Sequence, residues 1–219
     1  MSIGIKKIDA TSPDSRILRQ AARLIARGEV LVCPTDTGYA FSANALDTGA
    51  VVRVFSLKGR SYSNPVHMAV SSMEEAEKYA RINQAARQLA ERYLPGALTL
   101  VLPRRETVPA ILVAGRETIG IRIPNNRVIL SLIKMAEVPL TTTSANISGQ
   151  PTPYAVEEVM EQLGAAIEKV ALVLDQGPLP SRGLSTIVDL TVSPPQLIRQ
   201  GLISWLDIRE ILGSRRSSG

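Results

Sequence analysis

Near the N-terminus an amphipathic helical stripe runs straight into a short strand without a polar face. Ile17, Leu18, Ala21, Leu24 and Ile25 recur at helical spacing, and Gly28 ends the run. Ser12 is placed as the N-cap of this helix, with Pro13 at its first position. Val30-Leu31-Val32-Cys33 follows as a buried strand halted by Pro34. A polar loop, Thr35-Asp36-Thr37-Gly38-Tyr39, comes next at the strand's carboxyl end, where open α/β sheets tend to bind ligands.

The alternation continues along the chain. Strands are expected at 6–8, 66–70, 98–102, 118–123, 139–146, 171–174, 185–190 and 196–201. Helices are expected over 47–55, 72–80, 84–93, 127–136, 155–163 and 204–212, with a disordered tail from 213. A chain of 219 residues suits one large domain or two small ones, and no linker or internal repeat divides it. No apolar run approaches the roughly 20 residues that span a bilayer. The N-terminus lacks a signal peptide's apolar stretch, so the chain is read as cytosolic, with no membrane partner.

Between the second helix and its next strand lies Ser56-Leu57-Lys58-Gly59-Arg60-Ser61-Tyr62-Ser63-Asn64-Pro65. Lys58 and Arg60 flank a glycine and leave the helix C-terminus on a tight loop. They are either capping cations, worth about 0.3–1 kcal/mol, or ligand-facing ones. In Thr118–Ile123 the isoleucines alternate with Thr118, Gly120 and Arg122, the period of a strand with one buried face. Thr118 and Arg122 then share the other face, with Gly120 leaving space between them, as suits a ligand-lined wall. Thr142, Ser144 and Asn146 share a face if their strand stays extended, and a turn-rich loop with Thr152 follows.

One cysteine and one histidine remove disulfide frameworks, zinc clusters and two-histidine metal sites. Cys33 is read as a buried small hydrophobe. The net charge of +5 fits a polyanionic partner, although basic pairs such as Lys6-Lys7 and Arg215-Arg216 have no aromatics between them. Neither a Walker loop nor a strand–G-x-G-x-x-G–helix fingerprint is present. Any nucleotide would therefore be held by scattered side chains. The candidates are Lys58, Arg60, Arg122 and Arg199, with Thr37, Asn64, Thr142, Ser144, Asn146, Thr152 and Ser185. Four unpaired cations facing one cavity repel each other unless anions occupy it.

Several motifs then fall in a recognisable order: Pro34–Tyr39, Lys58-Gly59-Arg60, Pro95–Leu100, Gly120–Pro124, Ser144–Gly149, Ser185–Asp189 and Ile198–Gly201. Together they resemble the YrdC/TsaC family of threonylcarbamoyl-AMP synthases over nearly the whole chain. The resemblance implies a single α/β domain, a twisted open mixed sheet wrapped by helices around a basic concave cavity. It implies a short form of the family, with the domain at 8–203 and a C-terminal helix and flexible tail at 204–219.

The same resemblance implies a reaction in which L-threonine, bicarbonate and ATP give L-threonylcarbamoyl-AMP and pyrophosphate. This is the first step toward the t6A modification of tRNA, with downstream t6A transferase proteins as recipients and tRNA or double-stranded RNA as a further contact. Lys58, Arg60, Ser144 and Asn146 match the family's K-x-R and S-x-N pairs and are assigned to the chemistry. Arg60, Asn64, Thr118, Ser144, Thr152 and Arg199 match positions around ATP, and Thr37, Arg122, Thr142 and Ser185 match positions that hold L-threonine. Mg²⁺ is expected with the phosphates, and no residue is assigned to metal. Two positions depart from the pattern: Ser61 replaces a common proline, and Ala69 replaces a histidine. His67, two positions before Ala69, is placed on the other strand face and outside the site. The main rival is a non-enzymatic RNA-binding module of the same fold. A second is a carbamoyl-transfer domain like that of hydrogenase maturation proteins.

Overall fold

The computed structural model describes residues 4–180 and 183–213. In chain order the elements are β1 (Gly4–Lys7), α1 (Ser15–Ala26), β2 (Leu31–Thr35), β3 (Gly38–Ser42), α2 (Thr48–Lys58) and β4 (His67–Ala69). Then come α3 (Met73–Ala76), α4 (Gln84–Tyr93), β5 (Leu98–Pro103), β6 (Thr118–Arg122), α5 (Arg127–Ala136) and β7 (Leu140–Ser144). The chain continues with α6 (Val156–Leu163), a 3-10 turn at Gly164–Lys169, β8 (Leu172–Asp175), β9 (Thr186–Asp189), β10 (Gln196–Arg199) and α7 (Trp205–Gly213). The strands form one ten-stranded sheet in the order β1-β8-β2-β3-β7-β4-β6-β5-β9-β10. It is mixed: β1, β2 and β8 pair in parallel, while β2–β3, β3–β7, β4–β7 and β5–β6 are antiparallel. The molecule is thus a single α/β domain with helices flanking a mixed sheet.

The two halves of the sheet are covered differently, and that difference makes the site. In β2, Leu31 and Cys33 pack with Leu18 and Ile25 of α1 and Leu132 of α5. Val32, pointing the other way, packs with Val54 of α2 and Val159 of α6. This half is buried on both faces, which explains why its strands lack polar alternation. In the other half, Met68, Leu98, Leu100, Ile119 and Ile121 join Leu89 of α4 and Ile208 of α7 in one apolar cluster. The residues alternating with them, His67, Thr99 and Arg122, face a cavity instead.

Local signals set the ends of α2, the helix that delivers the first cation. Asp47 caps it, its carboxylate accepting from the amides of Gly49 and Ala50 at 2.8 and 3.1 Å. Gly59, with φ +57°, closes it directly after Lys58. Asn83 and Asn126 cap α4 and α5 in the same way.

Several expectations are corrected. The cap of α1 is Asp14 rather than Ser12, because the Asp9 carboxylate takes the amides of Thr11 and Ser12 and turns the chain there. Pro34 does not halt β2. The parallel partner β8 reaches only Leu31 and Val32, so the amide that proline lacks has no strand to meet. The loop expected at Thr35–Tyr39 is a tight turn into β3, an unforeseen strand antiparallel to β2. The helix expected over 72–80 ends at Ala76. The tail from 214 and the Arg215-Arg216 pair lie outside the described residues. Cys33 is fully buried, and burial pushes its thiol up to about 12. Among the described residues no helix is long and apolar enough to cross a membrane.

Candidate functional site

The open half of the sheet floors a cavity of about 410 Å³, a volume typical of small-ligand sites. Lys58, Arg60, Arg122 and Arg199 all line it, arriving from the end of α2, the loop after it, β6 and β10. Thr37, Asn64, Thr142, Ser144, Asn146, Thr152 and Ser185 line it too. Thr118 does not. It opens β6 opposite Pro103, one strand repeat beyond Gly120, and the Gly120 surface is covered by His67.

Lys58 is almost wholly buried, and its ammonium sits in a cage of oxygens. Nζ donates to the Ser144 carbonyl at 2.7 Å, the Ser144 hydroxyl at 3.2 Å, the Asn146 carbonyl at 3.3 Å and the Asn146 Oδ1. The Ser144 hydroxyl donates to the same Oδ1 at 2.6 Å, and the Asn146 amide nitrogen donates to the Gln150 carbonyl. Burial, then the charge of Arg60, push Lys58 down to about 7. The oxygen cage opposes that shift by favouring the protonated form.

Arg122 is the most deeply set guanidinium. It donates to the Thr37 hydroxyl at 2.6 Å, the Asp36 carboxylate at 2.7 Å and, at 3.3 Å, the Gly96 carbonyl. Burial lowers its proton affinity and Asp36 opposes that shift. Three of its five N–H groups are thus engaged, leaving two for a ligand. Arg199 donates to the Ser185 carbonyl at 2.9 Å and hydroxyl at 3.1 Å, and that hydroxyl lies 3.0 Å from Thr99. Arg60 donates to the carbonyls of Asn64 and Pro65 at 3.0 and 2.9 Å, which folds its loop back toward the cavity. Burial lowers the proton affinity of both, and Arg122 adds to it at Arg199. Thr152 is held over the β2–β3 turn by the bond from the Tyr39 amide to the Pro153 carbonyl, 2.9 Å. Four cationic side chains, hydroxyls and the amides of Asn64, Asn146 and Gln150 on a single concave wall suit a ligand carrying several negative charges.

A family model for Sua5, YciO and YrdC proteins, described as telomere recombination, matches residues 23–201. The chain belongs to the Sua5/YciO/YrdC family. A Pyrococcus abyssi relative named threonylcarbamoyl-AMP synthase is 40% identical over 200 residues, covering 91% of this chain and 58% of its own length. A Methanocaldococcus jannaschii protein is 37% identical over 188 residues, covering 86% of this chain and 87% of that one. The crystal structure of P. abyssi Sua5 complexed with L-threonine superposes with a TM-score of 0.90 at 37% identity, covering 95% of this chain and 61% of that one. The chain therefore spans only part of the P. abyssi protein.

Within this Sua5/YciO/YrdC fold the sequence missed His67. Residues two apart on a strand share a face, so His67 and Ala69 of β4 point the same way. Ala69 ends in the core beside α1 and α5, while His67 lines the cavity. Its ring fills the space that Gly120 was expected to leave open. Burial first, then Arg199, Arg60 and Arg122, hold its imidazole down to about 4. Thr99 was missed as well, although it is the one polar residue between the buried Leu98 and Leu100 of β5. The same period-two pattern that exposed Arg122 would have found it.

Proposed function

We propose that this chain is a nucleotidyltransferase that joins L-threonine, bicarbonate and ATP into L-threonylcarbamoyl-AMP, releasing pyrophosphate. The observation that carries this reading is the meeting of Lys58, Arg60, Arg122 and Arg199 on one cavity. The name of the P. abyssi relative and the threonine complex of its Sua5 support it. The three substrates bring a triphosphate and two carboxylate-type anions together, and a cationic wall offsets their repulsion.

The threonine nitrogen adds to the bicarbonate carbon, water leaves, and a carbamate oxygen then attacks the α-phosphorus in line with departing pyrophosphate. Such a transfer depends on positioning and charge stabilisation more than on covalent help. In this reading the free N–H groups of Arg122 hold the threonine carboxylate, with Thr37 beside them, and Thr142 or Ser185 bonds the substrate hydroxyl. Arg60 and Arg199 face phosphates, with Asn64 and Thr152 around the nucleotide. Lys58 acts with Ser144 and Asn146 as a buried charge next to the reacting groups. Asp36 shares the Arg122 fork, so threonine binds to an arginine that is already oriented. Among the described residues no group of three or more His, Cys, Asp or Glu is placed to hold a metal, and no carboxylate lines the cavity. Mg²⁺ therefore enters as part of Mg·ATP, bound by phosphates rather than by a protein cage.

We place residues 8–203 as the catalytic domain and the product upstream of tRNA t6A modification in the cytoplasm, where a downstream transferase consumes it. Pyrophosphate release from Mg·ATP tests the reading. It is expected only when threonine and bicarbonate are both present. Salt-sensitive RNA binding without any turnover would favour the RNA-binding alternative instead.

A further inference from the structure

His67 is the only histidine in the chain, and its ring reaches the cavity from β4, opposite Thr142 of β7. The ring rests on Gly120 so closely that a Cβ there would stand 2.5 Å from Cδ2 and 3.2 Å from Nε2. Only glycine at 120 leaves room for this imidazole. Among the described residues neither ring nitrogen has a hydrogen-bond partner. An unengaged ring nitrogen on a substrate-sized cavity is free to act on what binds there.

Among the described residues, four cations line the cavity that the imidazole faces. Arg60 comes from the loop after α2, Arg122 from β6 with Asp36 paired to it, and Arg199 from β10, while Lys58 lines the same cavity. The adjacent strand β7 brings the hydroxyls of Thr142, Thr143 and Ser144, and β5, beyond β6, brings that of Thr99. Burial and the three guanidiniums hold the imidazole unprotonated at neutral pH. Its lone pair is thus available, yet imidazolium is opposed while the cavity is empty.

We propose that His67 accepts the proton that the threonine ammonium must lose before its nitrogen adds to bicarbonate, and does so once nucleotide phosphates occupy the cavity. This rests on the functional reading above. The threonine nitrogen begins with three protons. One passes to the imidazole and one leaves with the bicarbonate hydroxyl as water. The third remains on the carbamate nitrogen as the N–C bond forms and the C–OH bond breaks. The phosphates of ATP offset the guanidinium charges that oppose imidazolium, so the acceptor becomes effective only when the nucleotide is present. A labile carbamate then forms only beside the phosphorus that consumes it.

A single histidine gives one imidazole signal set, and NMR titration of the wild-type chain reads it directly. The protonation midpoint is expected to rise by a unit or more on adding the α,β-methylene analogue of ATP, which cannot release pyrophosphate. Shifts elsewhere in the spectrum with an unmoved imidazole midpoint would overturn this assignment alone. No response to the analogue anywhere would overturn the functional reading with it. In parallel, His67→Gln is expected to lower kcat for pyrophosphate release by about 100-fold, leave the KM for ATP within a few-fold, and alter the acidic limb of the pH profile. A variant with wild-type kcat and profile would equally overturn it.

Discussion

Lys58 sets burial directly against charge. Its ammonium is almost fully removed from water, next to Arg60, and it is held down to about 7 from an ordinary 10.5. The folded chain thus binds this proton less tightly than the unfolded chain. Between about 7 and 10.5 the unfolded state keeps the proton and the folded state sheds it, so the Lys58 contribution to stability improves as pH rises through that window. Below 7 the folded chain carries the full cost of the buried charge. Urea unfolding of the wild type and Lys58→Met across this range measures the effect. The wild-type stability minus that of the variant is expected to increase from pH 7 toward pH 10, and a flat difference would show that the oxygens of Ser144 and Asn146 fully offset the burial. His67 illustrates why a site residue escapes a sequence reading. A histidine displaced two positions from a family motif looks lost, although strand geometry returns it to the same face.

At the scale of elements, the boundaries of α4 and α5 were legible, whereas the start of α1 was misplaced although the Asp14 side chain caps it. The helices α4 and α5 begin just after Asn83 and Asn126, and both were read at the limits that the structure shows. The hairpin β2–β3 was not legible, because its polar turn hides a strand whose residues are all buried. Pro34 looked like a terminator, since nothing in the sequence says that β8 stops pairing two residues earlier. Gly38 at this turn has φ +124°, and a Cβ would meet Thr152 Cγ2 at 2.5 Å and the Pro153 carbonyl at 3.0 Å. Gly38→Ala is therefore expected to destabilise the chain by roughly 1–3 kcal/mol and to push the Thr152 segment off the cavity. Chemical denaturation with nucleotide-binding titrations checks both effects. Unchanged stability and affinity would mean that the turn relaxes at no cost.

For the whole molecule, the sheet has one half sandwiched between helices and one half with a free face, and the cations collect over that free face. Each cation was visible in the sequence, but their meeting was not. Lys58 and Arg199 are far apart in the chain and approach because β6, β5, β9 and β10 follow one another across the sheet. That spatial order comes from strand pairing between distant segments, which spacing in one sequence does not encode. The chemistry we propose for the assembled cavity is the joining of threonine, bicarbonate and ATP. Mass spectrometry of the nucleotide product formed from threonine, Mg·ATP and ¹³C-labelled bicarbonate tests it most directly. A threonine–AMP adduct that is heavier by the label is expected, and its loss when threonine is omitted. An unlabelled adduct, or AMP and pyrophosphate formed at the same rate without threonine, would contradict it.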